Sequence, residues 1–504
     1  MNNKSNKNVS KNTELLKKYW AIIVVVILIF VITSGLLVIV ISNSGNKISS
    51  FKIALTNSSG VNTYGQKFTW VFTRPLPKNI IGSLSKFIVF KPAIAGNYRI
   101  IDSEISFIPN GPLLANTNYQ IDISRDIKDN YGSSLVNGYH YTFTTTPERF
   151  IYTANDPDGK SDLVMATINS DNTLTKTTIT TEQNIADYRS SYGGNLIAYT
   201  TVDSENSPTS LYLYKLSDQT TTKVELTPSY KITNMQFDRK DELVFLGTQY
   251  KSNLDKQAQD PNNFIAKPYK YSIADSKTEE IKVLQPYYGN IVDFYLTPDG
   301  NNILIHGFNY DYILVSLLNA KSAIVGNFQR FGQFNYSGDM IALSSFDSQD
   351  PSFTPRVRIY QATSNKYVSP PNLYTKDPAL FSDGTKVAYS YKLKDLNYTE
   401  GIMGIAVTDI TNLDKPAPLL QLALDGYSLD LSQVSNDAKY LIAEATDINI
   451  LSNFGTKTRL YKNAGRPLHT DIHIYTLSNQ DNLDSKTSRD ILTIKDAYNV
   501  LWLN

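Results

Sequence analysis

One phrase recurs six times after residue 148, and it constrains the fold more than any other feature of the chain. Each copy has a β-type run, a tight polar turn and a hydrophobic run that contains alanine or an aromatic residue. The copies are residues 192–199, 238–245, 298–305, 337–343, 382–389 and 436–443. Their turn positions 194, 241, 300, 338, 384 and 437 recur at intervals of 38 to 59 residues. This spacing, with about four strands per copy, predicts the blades of a β-propeller.

The two ends of the array complement each other. If the strands of a blade are called A to D from the centre outwards, the array begins at Phe150 with a strand of B character. It ends at residues 499–503 with a strand of A character that has no hairpin partner. We therefore predict an all-β fold with a seven-bladed propeller over 148–504 that is closed by the C-terminal strand, because closure removes exposed strand edges. Six and eight blades are the alternatives.

The Asp-Gly turns that precede hydrophobic and alanine residues, as in Asp383-Gly-Thr-Lys-Val-Ala-Tyr389, resemble the repeats of TolB-like and WD-type propellers of bacterial envelope proteins. The resemblance covers residues 150–504. It implies a module that binds proteins. Some propellers of this kind are non-catalytic halves of peptidases, but this chain has no residues left over for a hydrolase domain.

Residues 51–147 show the alternation of half-buried strands, for example at Phe68, Trp70 and Phe72. The length suits a β-sandwich. The stretch also resembles bacterial Ig-like modules. That resemblance rests on Phe107-Ile-Pro109, Pro112-Leu113, Tyr119, Lys128-Asp129-Asn-Tyr-Gly132, Leu135 and Tyr141-Thr-Phe-Thr-Thr145. It implies display outside the cytoplasm and no catalysis.

The segment 19–42 contains an uncharged apolar run long enough for one helix to cross a bilayer. Lysines precede it in the tail 1–18, so the positive-inside bias keeps the N-terminus in the cytoplasm and places everything after the linker 43–50 outside. The prediction is a single-pass cell-membrane protein. The alternative is a cleaved signal peptide, with Ser42 and Ser44 at the cleavage site.

Charge and composition exclude several partners and chemistries. The chain has 48 Lys and Arg against 47 Asp and Glu, so bulk charge gives no reason to expect a nucleic-acid partner. It has no cysteine, which excludes disulfides, thiolate metal sites and a cysteine nucleophile. Common hydrolase, nucleotide-binding and zinc-protease motifs are also absent. The partners we expect are the lipid bilayer and another envelope protein or surface polymer.

Long connections between strands B and C supply candidate binding residues. They lie on the propeller face opposite the attachment of the Ig-like module, and long loops in compact domains often carry function. The candidates are Tyr250, Phe264, Phe353, Tyr398, Phe454, Arg459, Tyr461 and Arg466. The alternative is that these loops are solvated insertions.

Two weak metal patterns are present. Asp156, Asp158, Ser161 and Asp162 have the oxygen-rich character of a calcium loop, although the plain alternative is a B–C turn. His469, Asp471 and His473 alternate along a predicted strand, where a zinc site competes with ordinary strand polarity. We predict no other cofactor.

Together these features predict a membrane-anchored, extracytoplasmic module for protein binding or scaffolding, and not an enzyme. Two other classes remain open. One is an enzyme that acts on envelope glycans or peptides, with carboxylates and a metal in the propeller mouth. The other is a carbohydrate-binding adhesin.

Overall fold

The computed structural model describes residues 51–55, 67–155, 161–181, 183, 185–201, 209–249, 265–309, 311–346, 354–361, 364–393, 403–424, 427–447, 461–462, 466–467, 470–477 and 490–503. No helix among them is long and apolar enough to cross a membrane. The segment 19–42, which the sequence predicts to span the bilayer, lies outside the described residues.

The first folded unit is a two-sheet sandwich. Its strands are β1 (Ile53–Leu55), β2 (Phe68–Phe72), β3 (Ile88–Lys91), β4 (Gly96–Ile101), β5 (Glu104–Pro109), β6 (Asn118–Ile123) and β7 (Tyr139–Thr144), with a 3-10 helix (Lys78–Ser83) and the short helix α1 (Leu84–Phe87). The sheet orders are β1-β2-β5-β4 and β3-β6-β7. The alternation in β2 buries Phe68, Trp70 and Phe72 in a single aromatic core.

Seven four-stranded antiparallel sheets follow in the described chain, and we number them in chain order. Sheet 1 contains β8 (Arg149–Asn155), β9 (Ser161–Ile168) and β10 (Leu174–Thr178), together with β37 (Ala497–Trp502). Sheet 2 contains β11 (Ile185–Ser190), β12 (Leu196–Thr201), β13 (Ser210–Lys215) and β14 (Thr220–Val224). Sheet 3 contains β15 (Tyr230–Phe237), β16 (Leu243–Gln249), β17 (Lys267–Ser272) and β18 (Lys277–Glu280).

Sheet 4 follows a 3-10 helix (Lys282–Tyr287) and contains β19 (Ile291–Leu296), β20 (Asn302–Gly307), β21 (Asp311–Ser316) and β22 (Ser322–Asn327). Sheet 5 contains β23 (Arg330–Phe334), β24 (Met340–Phe346), β25 (Pro355–Gln361) and β26 (Ser364–Tyr367). Sheet 6 contains β27 (Leu373–Leu380), β28 (Lys386–Leu393), β29 (Gly404–Asp409) and β30 (Ala417–Leu422). Sheet 7 contains β31 (Tyr427–Val434), β32 (Tyr440–Asp447), β35 (Thr470–Thr476) and β36 (Asp490–Ile494), and the short strands β33 (Tyr461–Lys462) and β34 (Arg466–Pro467) form a separate ladder.

The repeated phrase of the sequence forms the hairpin between the first and second strands of sheets 2 to 7. Each turn has a residue with positive φ, as the Gly and Asp residues of the phrase predict. In sheet 6 this residue is Gly384, at φ 71°, and in sheet 7 it is Ala438, at φ 61°. A Cβ on Gly384 would lie 2.8 Å from the Met340 sulfur of sheet 5, so this hairpin also packs closely against its neighbour.

Hydrophobic clusters join each sheet to the next. One cluster spans sheets 1 and 2, and others span sheets 2 and 3, 3 and 4, 4 and 5, 5 and 6, and 6 and 7. A seventh cluster packs Tyr440 and Ile442 of sheet 7 against Phe150 and Trp502 of sheet 1. No described sheet closes on itself. The propeller is instead held together by packing between separate sheets.

The pairing that the sequence predicts between the last strand and the Phe150 segment is present. Strand β37 pairs antiparallel with β8, with Leu501 opposite Ile151 and Trp502 opposite Phe150. The Trp502 ring also lies edge-on to the Phe150 ring, with 5.4 Å between centroids. Sheet 1 is thus assembled from segments about 350 residues apart in the sequence.

The sandwich meets the propeller at the A–B turn of sheet 7. Glu148, directly before β8, is 3% exposed, and its surroundings include Asp437 and Lys439 of that turn. Burial raises the pKa of Glu148 well above its usual value, and Asp437 raises it further. Burial, with a smaller contribution from Asp437, also raises the pKa of Tyr119 in the sandwich. The sandwich therefore lies on the face that carries the A–B turns, which we call the A–B face. The opposite face is called the B–C face.

Candidate functional site

Each innermost strand of the seven sheets carries a register shift where it pairs with the second strand. The shifts fall at Ile185/Asp187, Ile232/Asn234, Ile291/Asp293, Phe331/Gln333, Lys376/Ala379, Leu431/Gln433 and Tyr498/Leu501. A β-bulge bends its strand and changes the direction of the side chains beside it. Polar residues beside these bulges line the centre of the propeller.

A cavity of about 730 Å³ lies among the innermost strands of sheets 2 to 6, and we call it the mouth cavity. Its lining includes the early residues Ala186, Val292 and Arg330 of three innermost strands. It also includes His306 and Tyr312, which flank the B–C connection of sheet 4. The mouth cavity is therefore at the B–C face.

A smaller cavity of about 210 Å³ lies nearer the A–B face and includes Asn436 and Trp502 in its lining. Arg189 lines both cavities, so it lies between them. The smaller cavity is polar, because Gln236, Gln333 and Gln433 line it.

Arg189 is held by groups from sheets 2 and 3. Its Nη1 lies 2.5 Å from Asp187 Oδ1, and its Nη2 donates to Asn234 Oδ1 at 3.4 Å. Burial raises the pKa of Asp187. The Arg189 charge opposes this effect, and the Asp293 charge adds to it. Asp187 and Arg189 therefore form a partly desolvated ion pair in the wall of the cavity.

Asp293 is held differently, by neutral donors. Its Oδ1 accepts from its neighbour's backbone N–H, that of Phe294, at 2.8 Å and from the side-chain amide of Asn234. Its Oδ2 accepts from the Tyr295 hydroxyl at 2.6 Å. Burial raises the pKa of Tyr295, and Asp293 raises it further, so the phenol stays protonated and keeps donating.

Aromatic rings form much of the remaining wall. Tyr295 and Phe331 stack with 3.9 Å between ring centroids, and His306 and Tyr312 stack with 4.5 Å between theirs. Burial lowers the pKa of His306, and this outweighs the opposing effect of Asp293. The imidazole is therefore neutral at pH 7.

A chain of ion pairs extends from the mouth cavity through sheets 5, 6 and 7. Arg330 pairs with Asp377, and Lys376 Nζ lies 3.5 Å from Asp377 and 2.7 Å from Asp430. Farther along the ring, the carboxylate of Glu444 accepts from the Asn499 backbone N–H of the closing strand at 2.8 Å. These contacts tie the polar lining to the strands that complete the propeller.

The binding residues predicted from the sequence are not among those whose side chains the structure describes. Tyr250, Phe264, Phe353, Tyr398, Phe454 and Arg459 lie outside the described residues. Tyr461 and Arg466 fall in the separate ladder of β33 and β34, of which only the backbone is described. The loop-face prediction therefore stays a prediction.

The predicted calcium loop is the B–C connection of sheet 1. Asp156 and Asp158 lie outside the described residues, whereas Ser161 and Asp162 begin β9 and pair with β8. In the zinc alternative, Asp471 is instead held by Lys495 at 2.5 Å, and His469 lies outside the described residues. Among the described residues, no three His, Asp or Glu side chains are grouped to hold a metal.

The polar residues of the mouth cavity were not predicted from the sequence, although a signal for them exists. Asp187, Asn234, Asp293 and Asp377 each stand four residues before the residue that opens the A–B turn. The innermost strands are otherwise largely apolar. A polar side chain that recurs at this position indicates that the strands face a common polar space at the centre of the propeller.

Three exposed apolar side chains lie at the B–C face, and one of them lines the mouth cavity. Val292 lines it and is 44% exposed, and Phe308, in the B–C connection of the same sheet, is 69% exposed. Phe346, which ends the second strand of sheet 5, is 48% exposed. These three side chains lie at the same face of two neighbouring sheets, and we call them the apolar rim.

Comparison with known proteins identifies the first unit and gives distant likenesses for the second. Residues 48–145 match the model of the bacterial Ig-like domain. No curated protein matches the chain.

Among solved structures, TolB from Acinetobacter baumannii is 13% identical, with 71% of this chain and 94% of that chain covered and a TM-score of 0.37. The β-propeller domain of the Trilobed protease from Pyrococcus furiosus is 12% identical, with 66% and 95% covered and a TM-score of 0.40. An oligogalacturonate lyase in complex with manganese is 12% identical, with 68% and 86% covered and a TM-score of 0.41. The chain thus joins a bacterial Ig-like domain to a β-propeller. The evidence for the propeller is its seven four-stranded sheets.

Proposed function

We propose that this protein is a membrane-anchored, extracytoplasmic binding module whose seven-bladed propeller, closed by its C-terminal strand, presents its B–C face to a protein partner. The observation that carries the proposal is the apolar rim beside a polar cavity. Interfaces combine such an apolar patch with polar groups that fix orientation. The Ig-like domain lies near the opposite face, beside Asp437, so it leaves the rim accessible.

The chemistry of the mouth cavity also favours recognition. Asp187 and Asp377 are paired with guanidinium groups. Asp293 is fixed by three hydrogen bonds. Side chains held in this way present a fixed pattern of charge, which is what specific binding requires.

The binding part of the proposal is tested by affinity capture from envelope extracts with the full chain in detergent. Any retained protein is purified and its Kd is measured. We expect Phe308→Ser together with Phe346→Ser to weaken binding at least tenfold, because both changes remove apolar contacts at the rim.

The matched control is Leu318→Ser with Ile324→Ser, which removes two side chains that are 77% and 78% exposed in the outer part of sheet 4. Equal loss from both pairs contradicts a rim-specific interface. Turnover of envelope peptides or glycans without a retained protein supports the enzyme alternative, and retention of glycans alone supports an adhesin.

The anchoring part rests on the apolar segment 19–42 and the lysines before it. We expect the full chain to sediment with membranes and to resist carbonate extraction, with the propeller open to protease from outside the cell. Removal of residues 1–42 should release it. A full-length chain that is found soluble overturns this part alone.

A further inference from the structure

Within the mouth cavity the described charges do not balance. Three carboxylates, Asp187, Asp293 and Asp377, face two guanidinium groups, Arg189 and Arg330. Each guanidinium is paired with one carboxylate, Arg189 with Asp187 and Arg330 with Asp377. The lining therefore contains one more acidic than basic side chain.

The unbalanced charge is that of Asp293. The donors that fix it are a phenol, a carboxamide and a backbone N–H, and all three are neutral. No Lys or Arg of the described chain forms an ion pair with Asp293. Neutral donors orient a carboxylate without cancelling its charge, so it can still attract a cation that enters the cavity.

The walls next to Asp293 suit an organic cation better than a hydrated metal ion. Tyr295 donates to Asp293 and stacks on Phe331. Tyr312 stacks on His306, which pairs with Asp293 on the neighbouring strand of sheet 4. Ring faces attract Arg and Lys head groups, and the attraction strengthens where water is excluded. A metal ion at Asp293 would draw its other carboxylates from Asp187 and Asp377, which the guanidinium groups already engage.

Size and position agree with this chemistry. The volume of about 730 Å³ is within the range of sites that hold a small ligand or several residues of a peptide. Val292 belongs both to the cavity lining and to the apolar rim. A partner seated on the rim would therefore place a long side chain within reach of Asp293.

We propose that the mouth cavity receives an Arg or Lys side chain of the partner, with its cationic head group beside Asp293 and the aromatic walls. This proposal rests on the proposed binding function and names the chemistry that the partner presents. An isolated cationic side chain is a weak ligand, with a Kd on the order of 1 mM. The partner would gain its remaining affinity on the rim.

The probe is the capped peptide acetyl-Gly-Ser-Gly-Arg-Gly-Ser-amide, measured against the full chain in detergent by saturation-transfer NMR. Its control replaces arginine with citrulline, which keeps the shape and removes the charge. We expect the arginine peptide to bind at least tenfold more tightly than the citrulline peptide. We also expect its binding to weaken with added salt.

Asp293→Asn should abolish this preference for arginine, while the exposed control Asp275→Asn should leave it unchanged. Tyr295→Phe keeps the carboxylate and removes only one neutral donor, so it should retain most of the preference. If circular dichroism shows that Asp293→Asn disturbs the fold, the comparison of the arginine and citrulline peptides on the unaltered chain still tests the proposal.

Equal binding of the arginine and citrulline peptides, no binding of either at 10 mM (about ten times the expected Kd), or an unchanged preference in Asp293→Asn overturns the proposal. If the peptides fail but the rim variants still release a captured protein, the inference is wrong and the proposed function stands. If the arginine peptide binds but no protein is ever retained, the cavity is a site for organic cations and the proposed function fails.

Discussion

Sheet 1 and sheet 6 have the same four-strand architecture but are built in different ways. Sheet 6 is continuous in sequence, and its strands follow one another from Leu373 to Leu422. Sheet 1 takes its innermost strand from the other end of the described chain, through the pairing of β37 with β8. The difference teaches that six sheets are built from strands that follow one another along the chain. Sheet 1 depends instead on the pairing of β37 with β8 and on side-chain packing at a seam between sheets 7 and 1.

The largest expected effect comes from Trp502→Ala at this seam. Trp502 is 4% exposed and packs against Phe150 of sheet 1 and Tyr440 of sheet 7, so its loss leaves a cavity between the two sheets. We expect the free energy of unfolding of the propeller to fall by about 3–5 kcal/mol. Denaturant unfolding followed by near-UV circular dichroism measures it.

The matched change is Trp70→Ala, which removes a fully buried tryptophan from the sandwich core, where no propeller residue takes part. It should lower the stability of the sandwich and leave the propeller transition in place. If Trp502→Ala costs less than about 1 kcal/mol, the seam does not depend on this ring.

The second prediction concerns an interface between sheets that are continuous in sequence. A Cβ on Gly332 of sheet 5 would lie 1.9 Å from the backbone oxygen of Pro378 in sheet 6, so Gly332→Ala forces two backbones apart. We expect a loss of about 1–3 kcal/mol, measured by denaturant unfolding. Gly82→Ala is the control, since no atom lies within 4 Å of its added Cβ. Equal effects of the two changes would show that sheets 5 and 6 separate easily.

Glu148 also lies at the seam, directly before β8 of sheet 1 and near Asp437 of sheet 7. Because burial raises the pKa of this group in the folded state, the folded protein holds a proton that the unfolded chain releases. Its contribution is therefore favourable below the unfolded pKa, near 4.5, and is lost as pH rises through the folded pKa. Glu148→Gln should remove this dependence and stabilise the propeller at pH 8 by about 1–3 kcal/mol.

Thermal unfolding of both forms between pH 4 and pH 8 supplies the measurement. The control is Glu225→Gln, because that carboxylate is 82% exposed. If the stability gain of Glu148→Gln over the wild type does not increase with pH over this range, the assignment of the proton to Glu148 is wrong.

The smallest effect is expected at the outer edge of sheets 5 and 6, where Lys366 and Asp414 form an ion pair at 3.1 Å. Both side chains are more than half exposed, so solvent screens their attraction. A double-mutant cycle with Lys366→Ala and Asp414→Ala should give a coupling energy of at most about 0.5 kcal/mol. A coupling above 1 kcal/mol would mean that surface charges hold neighbouring sheets together.

Local signals explain how much of the fold was predictable. The six hairpins coincide with the six repeated phrases, because a turn with positive φ is specified by the residues within it. The pairing of β37 with β8 was also predictable, since each end of the array lacks what the other supplies. The membrane segment and six of the loop-face residues lie outside the described residues, and only the backbone of Tyr461 and Arg466 is described, so all of these stay predictions.

The mouth cavity was not predicted because its cause is not local. Asp187, Asn234 and Asp293 look like ordinary polar residues in a strand. They line one cavity only because bulges, set by pairing with the next strand, lie beside them. These residues occupy equivalent positions in the repeated strands, whereas the binding residues predicted from the sequence lie on the long connections between strands.

The origin of sheet 1 has a consequence for biosynthesis. Strand β8 leaves the ribosome about 350 residues before the segment that will pair with its inner edge. At usual translation rates of about 5–20 residues per second, that edge waits roughly 20–70 s for its partner. A nascent chain therefore carries the unpaired backbone edge of β8 through most of its synthesis. A chain that ends anywhere before β37 never covers that edge. Such unfinished products are prone to edge-to-edge aggregation, so completing translation is what protects this fold.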